Sequence, residues 1–377
     1  MKTIVIHYNE IAIKGENRWQ FEKILIDNIK NKIEKIAKKI YKLESRVIVE
    51  YSEKEEEIIE KLKKIFGISY IGIGIKTKRE ENEVIDYIKK NKKIFSGKSI
   101  KVETKRSDKN YPVNSMEFSR KIGEFMYEKL KTKVDLSNPE VIVNIEILKD
   151  CFIVYMRREN GLDGLPVRSS GRVLSLLSGG IDSIISSWGM MKRGCVVDFL
   201  HVAPYPAKEV KKSKIMKIVK KLEEYGNNGK LYVVPYTIFY KYAYEKNPRY
   251  ELVLFRKFLY SVAERICEKE EVLGIVSGDS LGQVASQTLE NMNAATYGIK
   301  IPIYRPLISF NKIETIELAK KIGAYELAIE KYRDCCSLSS VKHPVTMAKR
   351  EKLEKLAKEV DLEKIIEEAI EHIEIIK

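Results

Sequence analysis

Apolar residues follow two rhythms along this chain. Through roughly the first 170 positions, short β-branched runs alternate with helical periods. KTIVIHY and SRVIVEY read as strands, and residues 17–41 between them repeat apolar side chains at helical spacing. A helix over 55–66, the strand SYIGIGI, a helix over 80–92, the strand SIKVETK and a helix over 115–131 follow. The strands EVIVNIEIL and CFIVYMR close this half. Short helices between mostly β-branched strands predict two small α+β units with a seam near residues 52–58. The stretch RENGLDGLPVRSSGR, residues 158–172, is rich in Gly, Ser and Arg without an apolar period and reads as a linker. Beyond it, strand, turn and helix alternate regularly through RVLSLLS, CVVDFLHV, KLYVVPY, VLGIVSG and PIYRPLI. That is the pattern of a doubly wound parallel sheet, which takes ligands at the C-terminal ends of its strands. The last 30 residues, rich in Lys, Glu and Ile, predict an amphipathic helix closing the domain.

Composition narrows the class. At 377 residues, with 44% apolar and 33% charged side chains, the chain reads as a soluble protein of two or three domains. No apolar run reaches the roughly 20 residues of a membrane helix. The N-terminus is a short strand rather than a signal peptide. Five scattered cysteines, an odd number, argue against a secreted disulfide framework and for the cytoplasm. The net charge is +15. Residues 1–170 carry 36 Lys/Arg against 27 Asp/Glu, and the remainder 33 against 27, so both halves are basic. Such a balance suits either a polyanionic partner or a thermophilic, Lys- and Glu-rich proteome.

The stretch LSLLSGGIDSIISSW carries the sharpest chemistry. An apolar strand runs into two glycines and small hydroxyls, after which Ile181, Ile184, Ile185 and Trp188 recur at helical spacing. A helix entered in this way points its unpaired first amides and its positive dipole end into the turn, which makes an anion site. SGGIDS is neither G-x-x-x-x-G-K-[ST] nor G-x-G-x-x-G. Ser178, Gly179, Gly180 and Ser183 offer amides and hydroxyls to phosphate oxygens. Asp182 is placed either to hold Mg2+ or to cap the helix. Gly278 in SGDSLGQ, after a strand, suits a plain turn or a close approach.

This loop, together with HYNEIAIKGENRWQFE, DGLPVRSSGRVLSLLSGGIDS, SGDSLGQVASQTLENM, RPLISFNKIETIELAKKIG and CCSLSSVKHPVT, resembles the tRNA 4-thiouridine synthetase family over nearly the whole chain. The resemblance implies an N-terminal ferredoxin-like α+β domain (1–55), a THUMP RNA-binding domain (56–160), a linker (161–171) and a pyrophosphatase-loop domain (172–377). It implies ATP as cosubstrate with Mg2+, and adenylation of a tRNA uridine at position 8 before sulfur replaces its O4. By match to the family, Leu176 and Leu177 flank the nucleotide, His201 and Val202 contact it, and Arg256, Gly278 and Gln287 complete the pocket. A cysteine at this family's YRDCCSL position takes up or resolves sulfur; Cys336 aligns best and Cys335 second. Arg333, Lys342 and His343 around them would favour a thiolate. A Cys335–Cys336 bridge would be strained, because neighbouring Cα atoms lie about 3.8 Å apart.

Two departures shape the expectations. The chain ends at Lys377 without the rhodanese domain of many bacterial members, so sulfur is expected from a cysteine desulfurase persulfide, a separate rhodanese-type carrier or sulfide. A role in thiamine thiazole synthesis is not expected. An iron–sulfur cluster on Cys267, Cys335 and Cys336 is conceivable but not favoured, since Glu264 and Glu270 stand where a C-x-x-C pair would need cysteine. A homodimer is left open, and no membrane partner is expected. For RNA, Lys101, Lys105, Arg106, Lys109 and Arg120 surround Tyr111 and Phe118. The pattern fits either phosphate contacts with base stacking or a solvated basic face over core aromatics. Lys14 and Arg18, with Arg168 and Arg172 in the linker, are further candidates for RNA contact. His7 reads as structural and His372 as solvated.

Overall fold

In the first unit of the structure, Met1–Gly164, eight strands share one sheet. The computed structural model describes residues 2–243, 246–332 and 344–376, and its second unit is Leu165–Lys377. The first unit runs β1 (Lys2–His7), α1 (Arg18–Ile33), β2 (Lys39–Leu43), β3 (Arg46–Glu50), α2 (Glu55–Leu62) and β4 (Tyr70–Thr77). It continues through α3 (Glu81–Lys90), β5 (Ser99–Arg106), α4 (Ser115–Leu130), β6 (Lys133–Val134), β7 (Val141–Ile147) and β8 (Phe152–Asn160). The strand order is β2-β3-β1-β4-β8-β7-β5-β6, with only the β5 pairings parallel. Two separate cores lie on this sheet. Leu25, Ile29, Ile58 and Ile59 pack on Ile4, Ile6 and Val49, while Phe118, Ile122 and Met126 pack on Val143, Ile145 and Val154. Strand β4 serves both, sending Ile71 and Ile73 to the first and Ile75 to the second.

A third cluster, with Val5, Tyr70, Ile153 and Tyr155, includes a buried charge among its neighbours. Glu146 is 1% exposed and accepts hydrogen bonds from His7 Nε2 (2.8 Å), the Tyr155 hydroxyl (3.0 Å) and Arg46. Burial raises the Glu146 pKa, but His7 and Arg46 outweigh it and bring the group down to about 2. His7 is thus structural. Because the folded value lies below the unfolded one, this stabilisation is complete above about pH 4.5 and is lost as pH falls toward 2. The expected loss is on the order of 3 kcal/mol. Urea melts across that window should show it in the wild type, and Glu146→Gln should flatten that part of the curve.

The second unit orders its strands β13-β12-β9-β10-β11-β14. They are β9 (Arg172–Leu176), β10 (Val196–Ala203), β11 (Leu231–Pro235), β12 (Ile275–Val276), β13 (Ile303–Tyr304) and β14 (Glu374–Ile376). All pairings are parallel except β11 with β14. Helices α5 (Ile181–Lys192), α6 (Ala207–Val210), α7 (Lys214–Glu223), α8 (Tyr236–Ala243) and α9 (Glu251–Glu270) connect the first strands. They are followed by α10 (Leu289–Thr296), α11 (Lys312–Lys321), α12 (Tyr325–Ile329), α13 (Arg350–Glu359) and α14 (Leu362–Glu371). The direction of strand addition reverses after β11. Right-handed crossovers therefore place α5 and α7 on one face and α9 on the other. The α9 face holds the larger core, with Phe239, Val253, Phe255, Phe258, Leu353 and Ile365. The single closing helix expected at the end is two helices and an edge strand. Asp361, at φ 54°, breaks the helical run, and three residues of β14 are too few to show alternation. Among the described residues no helix is long and apolar enough to cross a membrane.

Candidate nucleotide site and basic surfaces

The anion loop forms where β9 ends and α5 begins. Leu177 N–H donates to Leu200 O (2.8 Å), which ties the end of β9 to β10. The next residues turn, and Gly180 precedes the first helical residue, Ile181. Ser183 Oγ lies 2.9 Å from the carbonyls of both Ser178 and Gly180, and Gly180 N–H donates to Ser178 Oγ at 3.2 Å. These bonds shape the loop. Gly278, just past β12, is a close approach rather than a plain turn: a Cβ there would lie 2.8–3.0 Å from backbone atoms of Asp182 and Ser183. A Cβ on Gly179 would lie 2.9 Å from the Tyr332 ring. His201, 1% exposed, contacts Leu177 O through Nδ1 (2.8 Å) and the Tyr332 hydroxyl through Nε2 (2.9 Å). The carbonyl requires a proton on Nδ1, so in the neutral ring Nε2 accepts from Tyr332.

Asp182 does not act as the helix cap. Lys312, the first residue of α11, places Nζ 2.9 and 3.0 Å from its two carboxylate oxygens, and Gln283 Nε2 donates at 3.0 Å. A reciprocal cap between Asn311 and Glu314 fixes that end of α11 and hence Lys312. Arg256 on α9 faces Asp279, with Nη2 2.7 and 2.8 Å from the carboxylate oxygens. Tyr260 donates to Asp279 at 3.0 Å, and Arg305 Nε approaches it at 3.4 Å. Burial raises the Asp279 pKa, but Arg256 and the hydroxyls of Ser277 and Tyr260 hold its carboxyl below the usual range.

One cavity of about 500 Å³ is lined by Leu176, Ser178, Asp182, Ser183, Arg256, Gly278 and Gln287 among others. Among the described residues, Arg256 Nε and Gln287 Oε1 are buried without a hydrogen-bond partner. The structure therefore gathers seven of the residues expected from sequence. Leu177, His201 and Val202 are buried behind the loop, and Gly179 lies under Tyr332. Lys312, Asp279 and Gln283 were not singled out from sequence. The sequence signal for Lys312 was the N-K-I-E cap within RPLISFNKIETIELAKKIG.

Lys101, Lys105 and Arg120 line one groove of about 880 Å³ beside α4, bordered by exposed Met116 and Tyr127. Lys109 is exposed on the loop after β5. Of these, Lys101 pairs with Glu103 (2.8 Å) and Arg120 approaches Glu124 (3.7 Å), and other candidates are engaged as well. Arg18 pairs with Glu22 (2.7 Å), and Arg106 donates to Tyr111 O (3.0 Å) and Val113 O (3.3 Å). Arg172 pairs with wholly buried Asp198. Lys14 lies 5.1 Å from the centre of the Phe21 ring, and Arg168 adopts a left-handed backbone, φ 83°. Of the two readings of Tyr111 and Phe118, the core reading holds. Phe118 is fully buried against Phe152, and half-buried Tyr111 packs in the same cluster with the Arg79 guanidinium 4.7 Å from its ring centre, so neither ring lies open to stack on a base.

Comparison with known families decides the lineage. Residues 168–362 match the family model described as thiamine biosynthesis protein (ThiI). Residues 3–72 match the ThiI ferredoxin-like domain and 78–157 the THUMP domain. The chain belongs to the ThiI family. A probable tRNA sulfurtransferase of Thermoanaerobacter sp. (strain X514) is 40% identical over 369 residues, 97% of each chain. The Brevibacillus brevis protein of the same description is 36% identical over 99% of this chain and 95% of its own. Among solved structures, a 4-thiouridine synthetase–RNA complex with bound ATP matches with TM-score 0.87 and 31% identity over the whole of both chains. PH1313 from Pyrococcus horikoshii shares the fold, with TM-score 0.68 and 23% identity over 86% of this chain and all of its own.

For a ThiI-family chain the cysteines matter next. Cys335, Cys336 and His343 lie outside the described residues. Cys151, Cys195 and Cys267 are buried, and burial raises each thiol pKa, that of Cys267 to about 12. Cys267 packs inside the α9 core. His372 ends α14 on the surface, its Nδ1 2.8 Å from Glu368 O.

Proposed function

We propose that this chain is an ATP-dependent tRNA sulfurtransferase that adenylates O4 of uridine 8 and replaces that oxygen with sulfur, giving 4-thiouridine. One observation carries the reading: a single cavity is lined by Ser178 and Ser183 of the loop, by Asp182, which pairs with Lys312, and by Arg256, whose Nε has no hydrogen-bond partner among the described residues. The ThiI-family relatives, described as tRNA sulfurtransferases, support it, as does the RNA- and ATP-bound 4-thiouridine synthetase. In this reading residues 1–55 and 56–160 recognise tRNA, 161–171 link, and 172–377 adenylate. Loop amides at the start of α5 and the hydroxyls of Ser178 and Ser183 hold phosphate oxygens. Arg256 and Gln287 turn their free polar atoms to the nucleotide. Lys312 stands where negative charge collects on the departing pyrophosphate, and stabilises it there.

Among the described residues no group of three acidic, His or Cys side chains gathers around a metal. Mg2+ carried on nucleotide phosphates needs only one or two protein carboxylates, so Asp182 alone fits as its ligand. When bound, the ion neutralises phosphate charge. The uridine O4 attacks the α-phosphorus and pyrophosphate leaves; sulfur then attacks C4 and AMP leaves. With a persulfide carrier, the outer sulfur attacks C4 as AMP leaves. The Cys336 thiolate, with Cys335 second, then attacks the carrier sulfur of the resulting disulfide, forming a cysteine–carrier disulfide and releasing the thiolated base. Sulfide attacks C4 directly and needs no cysteine. Lys101, Lys105, Lys109 and Arg120 contact tRNA phosphates.

Single-turnover thiolation of unmodified tRNA with ATP, Mg2+ and sulfide tests this, read by near-ultraviolet absorbance of thiouridine. Asp182→Ala should lower the rate by about 100-fold or more. Cys336→Ala should fail with a persulfide donor and recover with excess sulfide. No thiolated tRNA with any donor, while tRNA is still bound, would overturn the assignment.

A further inference from the structure

Two cations of the first unit share one aromatic ring and pair with no acid among the described residues. Tyr70 opens β4 directly opposite His7 of β1, and their rings stack with centroids 4.3 Å apart and planes 12° from parallel. The Arg158 guanidinium lies 3.7 Å from the Tyr70 ring centre. Lys105, near the end of β5, donates from Nζ to the Tyr70 hydroxyl at 3.2 Å. Simple alternation would not aim Arg158 here, because Tyr155 and Arg158 are three residues apart on β8 and would face opposite ways. The β4–β8 register shifts where Ile73 faces Arg157 and Gly74 faces Tyr155, so Met156 is an extra residue. This bulge returns Arg158 to the face of Tyr155 and Tyr70. Gly72 and Gly74 permit it. A Cβ on Gly72 would lie 2.7 Å from the Tyr155 ring, and one on Gly74 would lie 1.9 Å from Val154 O.

The nearby acid is already engaged, since Glu146 is held by Arg46, His7 and Tyr155. Neighbouring Arg157 shows the contrast: Glu56 and Glu159 clasp it. Arg158 and Lys105 are exposed, and neither has a carboxylate partner among the described residues. A guanidinium stacked on a ring is held in place with its N–H edge turned outward, and that fork matches two phosphate oxygens. Two unopposed cations on one ring repel until an anion joins them. Lys105 also borders the groove of Lys101 and Arg120, so the pair extends that basic surface.

We propose that Arg158 and Lys105, seated on Tyr70, clamp a phosphodiester of RNA. The clamp rests on the tRNA reading above and names a contact point for that substrate.

The test is tRNA binding by the full chain, measured by filter retention across a salt series. Arg158→Gln and Lys105→Gln should each weaken binding about tenfold. Each should also make the log–log salt dependence shallower by about one unit. Arg158→Lys keeps the charge and loses the fork, so it should retain the wild-type slope at reduced affinity. A purely structural role for Arg158 would not shift the slope. Normal wild-type binding with unchanged affinity and slope in both Gln variants overturns the clamp alone, including the case in which an acidic protein uses this surface instead. A wild-type chain that binds no tRNA overturns the sulfurtransferase reading and the clamp together.

Discussion

Replacing Asp279 with Ala is expected to destabilise the second unit by about 3–5 kcal/mol and to abolish nucleotide binding. Asp279 is 1% exposed and answers Arg256 and Arg305 at once. Without it, a largely buried guanidinium keeps its charge and loses its anion, which costs more than the pair itself contributes. Urea melts of Asp279→Ala, Arg256→Met and the double variant check this. The double variant should recover much of the lost stability while remaining unable to turn over ATP. Equal destabilisation in the single and double variants would show that the pair is not the cause.

Gly278→Ala is expected to act on chemistry more than on folding. The added methyl meets the backbone of Asp182 and Ser183, which cannot swing aside as a side-chain tip can. Overpacking of this kind costs about 1–3 kcal/mol. The greater effect is displacement of the loop that carries Ser178, Ser183 and Asp182. A shift of about 1 Å there can lower turnover by roughly 100-fold. Thiolation rates beside thermal melts would separate the two effects. A variant with wild-type turnover would show that the loop can move without penalty.

The loop at Ser178–Ser183 was legible because its information is local: strand, two glycines and helix follow one another within a dozen residues. The acid and bases that complete the site were not. Lys312 reaches Asp182 from 130 positions away, and Asp279 meets Arg256 across 23; among 69 basic and 54 acidic residues, nothing in spacing marks such pairs. The same limit explains Arg18, Arg106 and Arg172, which read as candidates for phosphate contact. Their partners, Glu22, backbone carbonyls and Asp198, appear only once the chain is folded. Arg158 is the converse case. Its direction depends on a one-residue bulge, which reverses the face that alternation assigns.

Burial of three thiols has a practical consequence for following sulfur. Cys151, Cys195 and Cys267 are buried and burial raises their pKa values, so they carry little thiolate at neutral pH while the chain stays folded. The native protein therefore supplies its own silent background. Alkylation or isotope labelling at neutral pH draws little signal from these three thiols, without any engineered removal of cysteine.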